Sequence, residues 1–451
     1  PPASRIEDKY PSFFPRLAGS ETSYLCEVQR LLVIGRGARE HAIAHKALLS
    51  RKLEVFIAPG NAGMQPPLKR VPLQETEIGP LRDFIRQMKI DAVIVGPEVP
   101  IARGIYDDLH DLTLVIAPSQ KLAFLESSKA RAKHFMQTIG IPTPYSVIFD
   151  QLHQADAESY LRGASYPLVI KASGLAAGKG VLIAHTPEEA LEFARECFSG
   201  SKFGTAGHTI LVEEYLSGEE RSVFILSDGK GYVLLPTARD YKRLRDGDQG
   251  PNTGGMGGYA PADDSPEWID SVREKIIEPT LHALKKGGTP YHGFLYFGLM
   301  KVGGEPYLLE YNVRLGDPEA QLILPLIGNS MEELIYYYRI QKLGELRVRL
   351  QEQYAVGVVA ATVGYPEAPQ KGQLLPSLPL EEGGCKVDDS GYIYWAGVEA
   401  DESGMLYTTG GRTYTAVGIA DTLETARARA YAILEKVPFE GRYYRTDIAL
   451  R

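Results

Sequence analysis

Cysteine is scarce in this sequence. Only Cys26, Cys197 and Cys385 occur among 451 residues, far apart and without CxxC or Cys/His spacing. That excludes a disulfide framework and the usual zinc spacings, and it points to a reducing, cytoplasmic setting. No apolar run approaches the ~18 residues that span a bilayer. Residues 1–30 lack the basic start and apolar stretch of a signal peptide, and with Pro1, Pro2, Pro11 and Pro15 they read as a loose N-terminal extension. Positive charge is also in deficit: 49 Lys and Arg against 57 Asp and Glu leave a net charge of -8. A broad nucleic-acid or anionic-membrane surface is therefore disfavoured, and small anionic ligands held by locally gathered lysines and arginines are expected instead. Internal repeats and low-complexity tracts are absent.

What remains is globular composition, 44% hydrophobic and 24% charged, on a chain long enough for several domains. Leu31-Leu32-Val33-Ile34, followed by Gly35 and Gly37 and a helix-compatible stretch from Arg39 to Leu49, predicts strand, tight turn and helix. Two more strands, at 54–60 and 91–98, alternate with helical patterns and predict a doubly wound α/β sheet whose loops sit at the strand ends. From about residue 130 the pattern becomes α+β, with a glycine-rich hairpin near 174–180, β-like runs at 210–216, 221–226 and 232–236, and a long Gly/Pro-rich loop at 246–261. A helical piece after 335, a strand-like run at 354–365 and a final helix near 421–436 predict a smaller closing domain.

The first turn, Gly35-Arg36-Gly37-Ala38-Arg39-Glu40, begins like a dinucleotide fingerprint. Glu40 replaces its third glycine, and no acid ends the second strand at Ile57-Ala58, so NAD is disfavoured. Two readings stay open: a helix N-terminus whose amides hold a phosphate, or a tight turn with no ligand. Residues 171–180, KASGLAAGKG, are not a Walker loop, because three residues separate Gly174 from Gly178 and Gly180 stands where Ser or Thr is required. Small residues between Lys171 and Lys179 suit a phosphate-covering hairpin, with a solvated loop as the alternative. Glu213 to Glu220 leaves a strand for a connection able to read an adenine edge, although an acidic surface turn explains it equally. Period-two alternation puts Glu310 and Asn312 on one strand face, a pair of hard oxygens suited to magnesium, and Arg314 continues that face. The 240–260 stretch fails as a calcium loop because Gly250 and Pro251 break the pattern, and it reads as a loop folding over a substrate.

Taken in order, GxGxREHA at 35–42, APGNAG at 58–63, GPE at 96–98, ESSKARAK at 126–133, KASGLAAGKGV at 171–181, GPNTGGMG at 250–257, EYNVRLGDPEAQ at 310–321 and YYRTDIA at 443–449 resemble the glycinamide ribonucleotide synthetase family of the ATP-grasp superfamily. The resemblance implies a Rossmann-like N-terminal domain at 31–129 and a two-lobed ATP-grasp body at 130–334 with a mobile lobe at about 136–212. A closing C-terminal domain at 335–451 completes it. It implies ATP-dependent ligation of glycine to 5-phosphoribosylamine in purine biosynthesis, through glycyl phosphate, with Mg2+ or Mn2+.

By motif position, Lys129, Lys171, Gly178, Lys179 and Gly180 should attend the ATP phosphates, Glu213 and Leu216 the adenine, and Glu220 the ribose. Glu310 and Asn312 should carry the metal, and Arg314, Lys171 and Asp240 the catalysis. Gly37, Arg39, Glu40, Asn61, Glu98, Lys242, Gly255 and Asp317 should bind the other substrates. Departures from the family pattern are Arg36 and Ala38 at positions usually small, Tyr241 for a usual histidine and Leu315 for phenylalanine, and they bear on the phosphoribosyl loop and substrate affinity. A monomeric, monofunctional enzyme acting on small molecules, in transient contact with the phosphoribosylamine-producing enzyme, is expected. The rivals are another ATP-grasp carboxylate-amine ligase, against which REHA, APGNAG and GPNTGGMG stand together, and a non-catalytic nucleotide-binding regulator, against which the intact phosphate lysines, Glu310 and Asn312 stand.

Overall fold

The computed structural model describes residues 28–450 apart from Arg51 and Ala177; the expected extension up to residue 27, with Cys26, lies outside the described residues. The first sheet is parallel, in the order β3-β2-β1-β4-β5, formed by β1 (Arg30–Gly35), β2 (Glu54–Pro59), β3 (Lys69–Arg70), β4 (Ala92–Val95) and β5 (Leu114–Ile116). Its unbroken apolar run reflects burial on both faces: Leu31 and Val33 enter one core and Leu32 and Ile34 the other. The strand order reverses at β1, with β2 on one side and β4 on the other, so a crevice opens beyond the ends of β1 and β4, where Gly37 and Glu98 begin helices.

Two antiparallel four-stranded sheets follow. The first has β6 (Ser146–Asp150), β7 (Leu168–Ala172), β8 (Val181–Ala184) and β9 (Thr209–Glu214) in the order β6-β9-β7-β8. The helices Gln154–Gly163 and Pro187–Phe198 close a separate small core against it. The second helix starts where the sequence says it should: Thr186 caps it by accepting from the Glu189 amide, and Pro187 occupies its first turn. The second sheet has β10 (Glu219–Asp228) and β11 (Tyr232–Leu234), and is completed below by two later strands.

Half of the glycine-rich stretch expected as a loop at 246–261 is strand. It contains β14 (Gln249–Asn252) and β15 (Gly257–Ala260), and β12 (Arg239–Asp240) and β13 (Arg243–Arg245) lead into it. Local composition argues for a loop, but tertiary pairing prevails: β15 lies between β12 and a later C-terminal strand, and its glycines allow that close approach. The second sheet is then completed by β16 (His292–Val302) and β17 (Glu305–Asn312), in the order β11-β10-β16-β17. Its register slips between Gly298 opposite Glu310 and Leu299 opposite Leu308, which leaves Leu309 as a bulge.

The last sheet is formed by β18 (Tyr354–Thr362), β19 (Lys386–Asp388), β20 (Gly391–Trp395), β23 (Arg412–Ala420) and β24 (Arg442–Tyr443) together with β12 and β15; a side ribbon pairs β21 (Val398–Ala400) with β22 (Leu406–Thr408). It is therefore not built from residues after 335 alone. The helix Leu423–Glu435, capped by Thr422, packs across it. Among the described residues no helix is long and apolar enough to cross a membrane.

Candidate active site

A cavity of ≈ 750 Å³ runs between the two antiparallel sheets and continues to the crevice of the parallel sheet. At one end, β7 and β9 deliver Lys171 and Glu213. The Lys171 ammonium lies 2.7 Å from one Glu213 oxygen and donates to the Leu309 carbonyl at 3.3 Å, while Lys133 lies 2.8 Å from the other Glu213 oxygen. Burial pushes the Glu213 carboxyl up, but Lys171 and Lys133 outweigh it and hold it below the usual carboxylate range. Lys129 opens the helix Lys129–Thr138, its ammonium donating to the Gly174 carbonyl at 3.2 Å, and burial lowers its pKa. Leu216, Val169, Ile183 and Met300 supply apolar wall beside these charges.

In the middle, β17 presents Glu310 and Asn312. Burial raises the Glu310 carboxyl, yet Lys242, Lys171, Lys129 and Arg314 together keep it ionised. Arg314 donates to Asn312 Oδ1 at 3.2 Å and to Glu126 at 2.7 Å, and its Nε lies 3.6 Å from Glu98. Opposite, β12 carries Asp240, and Lys242 stands in the short connection from β12 to β13. The Lys242 ammonium lies 3.2 Å from Glu220 and 4.0 Å from Asp240. Burial pushes Asp240 up to about 8, with Lys242 opposing and Glu319, Glu220 and Glu310 adding to the rise.

At the far end, the carboxylate of Glu40 turns back to accept the Gly37 amide at 2.6 Å and Arg39 Nε at 2.6 Å. Gly35, at φ +127°, leaves room for it, since a Cβ there would meet Glu40 Cγ at 2.4 Å. One N-terminal amide expected to hold a phosphate is thus already engaged by a side chain. Arg39 also donates to the Leu315 carbonyl at 3.2 Å. Asp317 is held below the usual carboxylate range against burial by Arg412 and Arg39, and the Arg412 guanidinium donates to the Gly254 and Asp317 carbonyls at 2.7 Å each.

Of the expected site residues, Lys129, Lys171, Gly178, Gly180, Glu213, Leu216, Glu220, Asp240, Lys242, Glu310, Asn312, Arg314, Asp317, Gly37, Arg39, Glu40 and Glu98 line this one cavity. Three do not. Asn61 spends its amide donating to the Arg36 and Trp395 carbonyls and accepting from Gly63, so it ties the APGNAG turn to the C-terminal sheet. Lys179 donates to the Pro366 carbonyl at 2.7 Å. Gly255, at φ +113°, serves close packing, since a Cβ would meet Pro318 Cδ at 2.6 Å. Tyr241 borders the cavity between Asp240 and Lys242, and its side chain packs into the C-terminal core. Glu126, Lys133, Glu319 and Arg412 were given no role by sequence reasoning. Glu126, Lys133 and Glu319 stand inside quoted motifs, whereas Arg412 carries no local signal and reaches the cavity from β23.

Glu310 and Asn312 suit a hard divalent cation. Among the described residues no cluster of three His, Cys, Asp or Glu forms a cage, and two protein oxygens with the rest left to phosphate and water is what magnesium accepts.

A cleft of interleaved cationic and acidic side chains with apolar wall between two antiparallel sheets, and a parallel α/β domain at its far end, defines an ATP-grasp protein. Residues 29–126, 127–320 and 355–451 match the N, ATP-grasp (A) and C domains of phosphoribosylglycinamide synthetase. The chain belongs to that family of ligases. It is 42% identical over 426 residues to a phosphoribosylamine–glycine ligase of Neisseria meningitidis, covering 93% of this chain and 98% of that one. With the Escherichia coli ligase of the same name it shares 41% over 431 residues, covering 94% and 98%. The solved phosphoribosylamine–glycine ligase of Thermotoga maritima is 37% identical with a TM-score of 0.79, covering 93% of this chain and all of that one. A biotin carboxylase domain from Hydrogenobacter thermophilus, at 16% identity and TM-score 0.65 over 92% of this chain and 91% of that one, shares the fold.

Proposed function

We propose that this protein joins glycine to 5-phosphoribosylamine at the expense of ATP, giving glycinamide ribonucleotide, ADP and phosphate in purine biosynthesis. One observation carries the reading: Arg314 stands 3.2 Å from Asn312 in the middle of the cavity and 3.6 Å from Glu98 at its N-terminal end. A group so placed faces both a transferring phosphoryl and the acceptor that follows it.

In this scheme the glycine carboxylate attacks the γ-phosphoryl of ATP and ADP leaves. The phosphoribosylamine nitrogen then attacks the carbonyl of glycyl phosphate, sheds a proton and displaces phosphate. Lys129 and Lys171 hold phosphates under the hairpin of Gly178, Lys179 and Gly180, and Glu213 keeps Lys171 and Lys133 from repelling one another. The backbone of Glu213 and Leu216 meets adenine and Glu220 meets ribose. A divalent cation, Mg2+ or Mn2+, held by Glu310 and Asn312 would offset phosphate charge when bound. Arg314 offsets charge that develops in the transition state, and Asp240, Lys242 and Asp317 line the reacting centre. Arg39, Glu40 and Glu98 face the phosphoribosylamine; Gly37, Asn61 and Gly255 shape the loops around it. Closure of the lobe at about 136–212 keeps water from the acyl phosphate. Effective molarities on the order of 10⁵ M from positioning make a dedicated base unnecessary.

A monomer acting in the reducing cytoplasm, in transient contact with the supplier of the amine, belongs to the same proposal. The buried free thiols of Cys197 and Cys385 support the reducing setting.

The test is ADP release with ATP, magnesium, glycine and freshly generated phosphoribosylamine, omitting each in turn. Dependence on both glycine and the amine, with mass detection of glycinamide ribonucleotide, is expected. Turnover indifferent to both would point to another carboxylate-amine ligase, and nucleotide binding without turnover to a regulator. In the same assay, an unchanged apparent affinity for phosphoribosylamine in Arg39→Ala would overturn the N-terminal half of the map.

A further inference from the structure

The closing motif YYRTDIA, at 443–449, lies outside the reaction scheme, yet Tyr443, Arg445, Thr446 and Asp447 all bond the ribbon that follows Asp240 and Lys242. We infer that this C-terminal segment, with Arg445 at its centre, is a clamp that positions Asp240 and Lys242 in the cleft. The inference rests on the functional reading above for what those two residues do.

The ribbon runs from β12 at its base, through β13 and β14, to a tip at 246–248. A two-stranded ribbon is marginal by itself, and the tip is solvent-exposed. The tail supplies what the ribbon lacks. Arg445 is fully buried. Its Nε and one Nη grip both oxygens of Asp447 at 2.7 Å, and its other Nη donates to Asp248 at 2.8 Å and to the Arg243 carbonyl at 3.1 Å. Asp447 in turn accepts the Gly247 amide at 2.8 Å, the Thr446 amide donates to Asp246 at 2.9 Å, and the Thr446 hydroxyl also bonds Asp246. Tyr443 donates to the Leu244 carbonyl at 3.0 Å.

The link from the clamp to the cleft is Tyr241. The guanidinium of Arg445 lies 4.9 Å and that of Arg239 5.6 Å from its ring centroid, and its hydroxyl accepts the Ala449 amide at 3.2 Å. Asp240 and Lys242 line the cavity on either side of Tyr241, whose side chain belongs to the C-terminal core, so fixing this ring fixes the backbone that presents both. The tail is itself anchored from the helix Leu423–Glu435: Arg427 donates to the Thr446 and Ile448 carbonyls and Tyr431 to that of Arg445. The departure of Tyr241 from the family's histidine therefore faces the clamp.

The test uses the full chain carrying Asp246→Ala, which removes both Thr446 bonds at an exposed position, and Arg445→Lys, which keeps the charge but loses the planar fork. Backbone hydrogen exchange should quicken about tenfold at the Tyr241, Thr253 and Met256 amides, which pair across the ribbon, while the parallel sheet is unchanged. Glycine-dependent kcat should fall about tenfold with the KM for ATP unmoved, the split expected of lost positioning. Unaltered exchange in Asp246→Ala overturns the clamp, as does faster exchange with unaltered kcat. A wild-type chain without glycine-dependent turnover would sink the functional reading instead, and exchange at those amides would still decide on the clamp.

Discussion

Arg314 and Glu126 meet at 2.7 Å in the floor of the cleft, and the second oxygen of Glu126 accepts the Val313 amide at 2.8 Å. Burial pushes the Glu126 carboxyl up while Arg314 opposes the rise. Removing Glu126 takes away the shortest partner of a buried guanidinium, leaving it Asn312 at 3.2 Å and Glu98 at 3.6 Å. Glu126→Ala should lose about 3–5 kcal/mol of stability in urea denaturation, and kcat should fall on the order of 10²-fold as Arg314 drifts from the reacting phosphoryl. Glu126→Gln, which keeps the Val313 bond, should recover stability but not rate. Wild-type rates in the glutamine variant would show that Arg314 does not depend on this partner.

A second contact makes domain docking sensitive to acid. His41 Nδ1 accepts the Trp395 amide at 3.1 Å and its Nε2 faces the Gly383 carbonyl at 3.1 Å, so the neutral ring bridges the first helix to the C-terminal domain. Burial, opposed by the Gly383 bond and reinforced by His45, lowers its pKa to about 3. The unfolded chain binds this proton from about pH 6.5 downward and the folded one only near 3, so stability is lost as pH falls through that window. The slope expected from this group is about 1.4 kcal/mol per pH unit. Unfolding free energies of wild type and His41→Asn between about pH 4 and about 6 should differ in slope by that amount; parallel curves would show that the ring is not held neutral.

How far the sequence disclosed this site depends on the range of the interaction concerned. The parallel sheet, the crevice beyond β1 and β4, and the shared face of Glu310 and Asn312 follow from local periodicity, and all were legible. The motifs around Asn61 and Lys179 fit ligand contacts; that their polar atoms are taken by Trp395 and Pro366, more than 180 residues away, has no local signature. The same limit hid Arg412, which meets Gly254 and Asp317 only after the last sheet folds. The β15 segment reads as loop because glycine scores as loop, and only its sandwiching between β12 and β18 makes it strand.

Glu310 tests the metal end of the cleft. Its carboxylate stays ionised in spite of burial through Lys242, Lys171, Lys129 and Arg314, the state a divalent cation requires. Glu310→Ala should remove turnover by more than about 10²-fold at ordinary magnesium and abolish the magnesium-dependent part of nucleotide affinity in calorimetry, with circular dichroism unchanged. Near-normal activity would take Glu310 out of the metal site.

Glu213 separates support from ligand binding at the nucleotide end. It holds Lys171 at 2.7 Å and Lys133 at 2.8 Å, so its loss leaves two buried ammonium groups facing each other. Glu213→Ala should therefore cost about 3–5 kcal/mol. In Glu213→Gln the pairing weakens without a cavity, and Lys171 is released from the position 3.3 Å from the Leu309 carbonyl that sets it beneath the hairpin. The expected result is a KM for ATP raised about tenfold, with the KM for glycine held. Added ATP should then restore melting temperature in both variants less effectively than in wild type, because the same lysine anchors nucleotide and fold. An ATP affinity unchanged in Glu213→Gln would assign the Lys171–Glu213–Lys133 cluster to stability alone and move phosphate binding to Lys129.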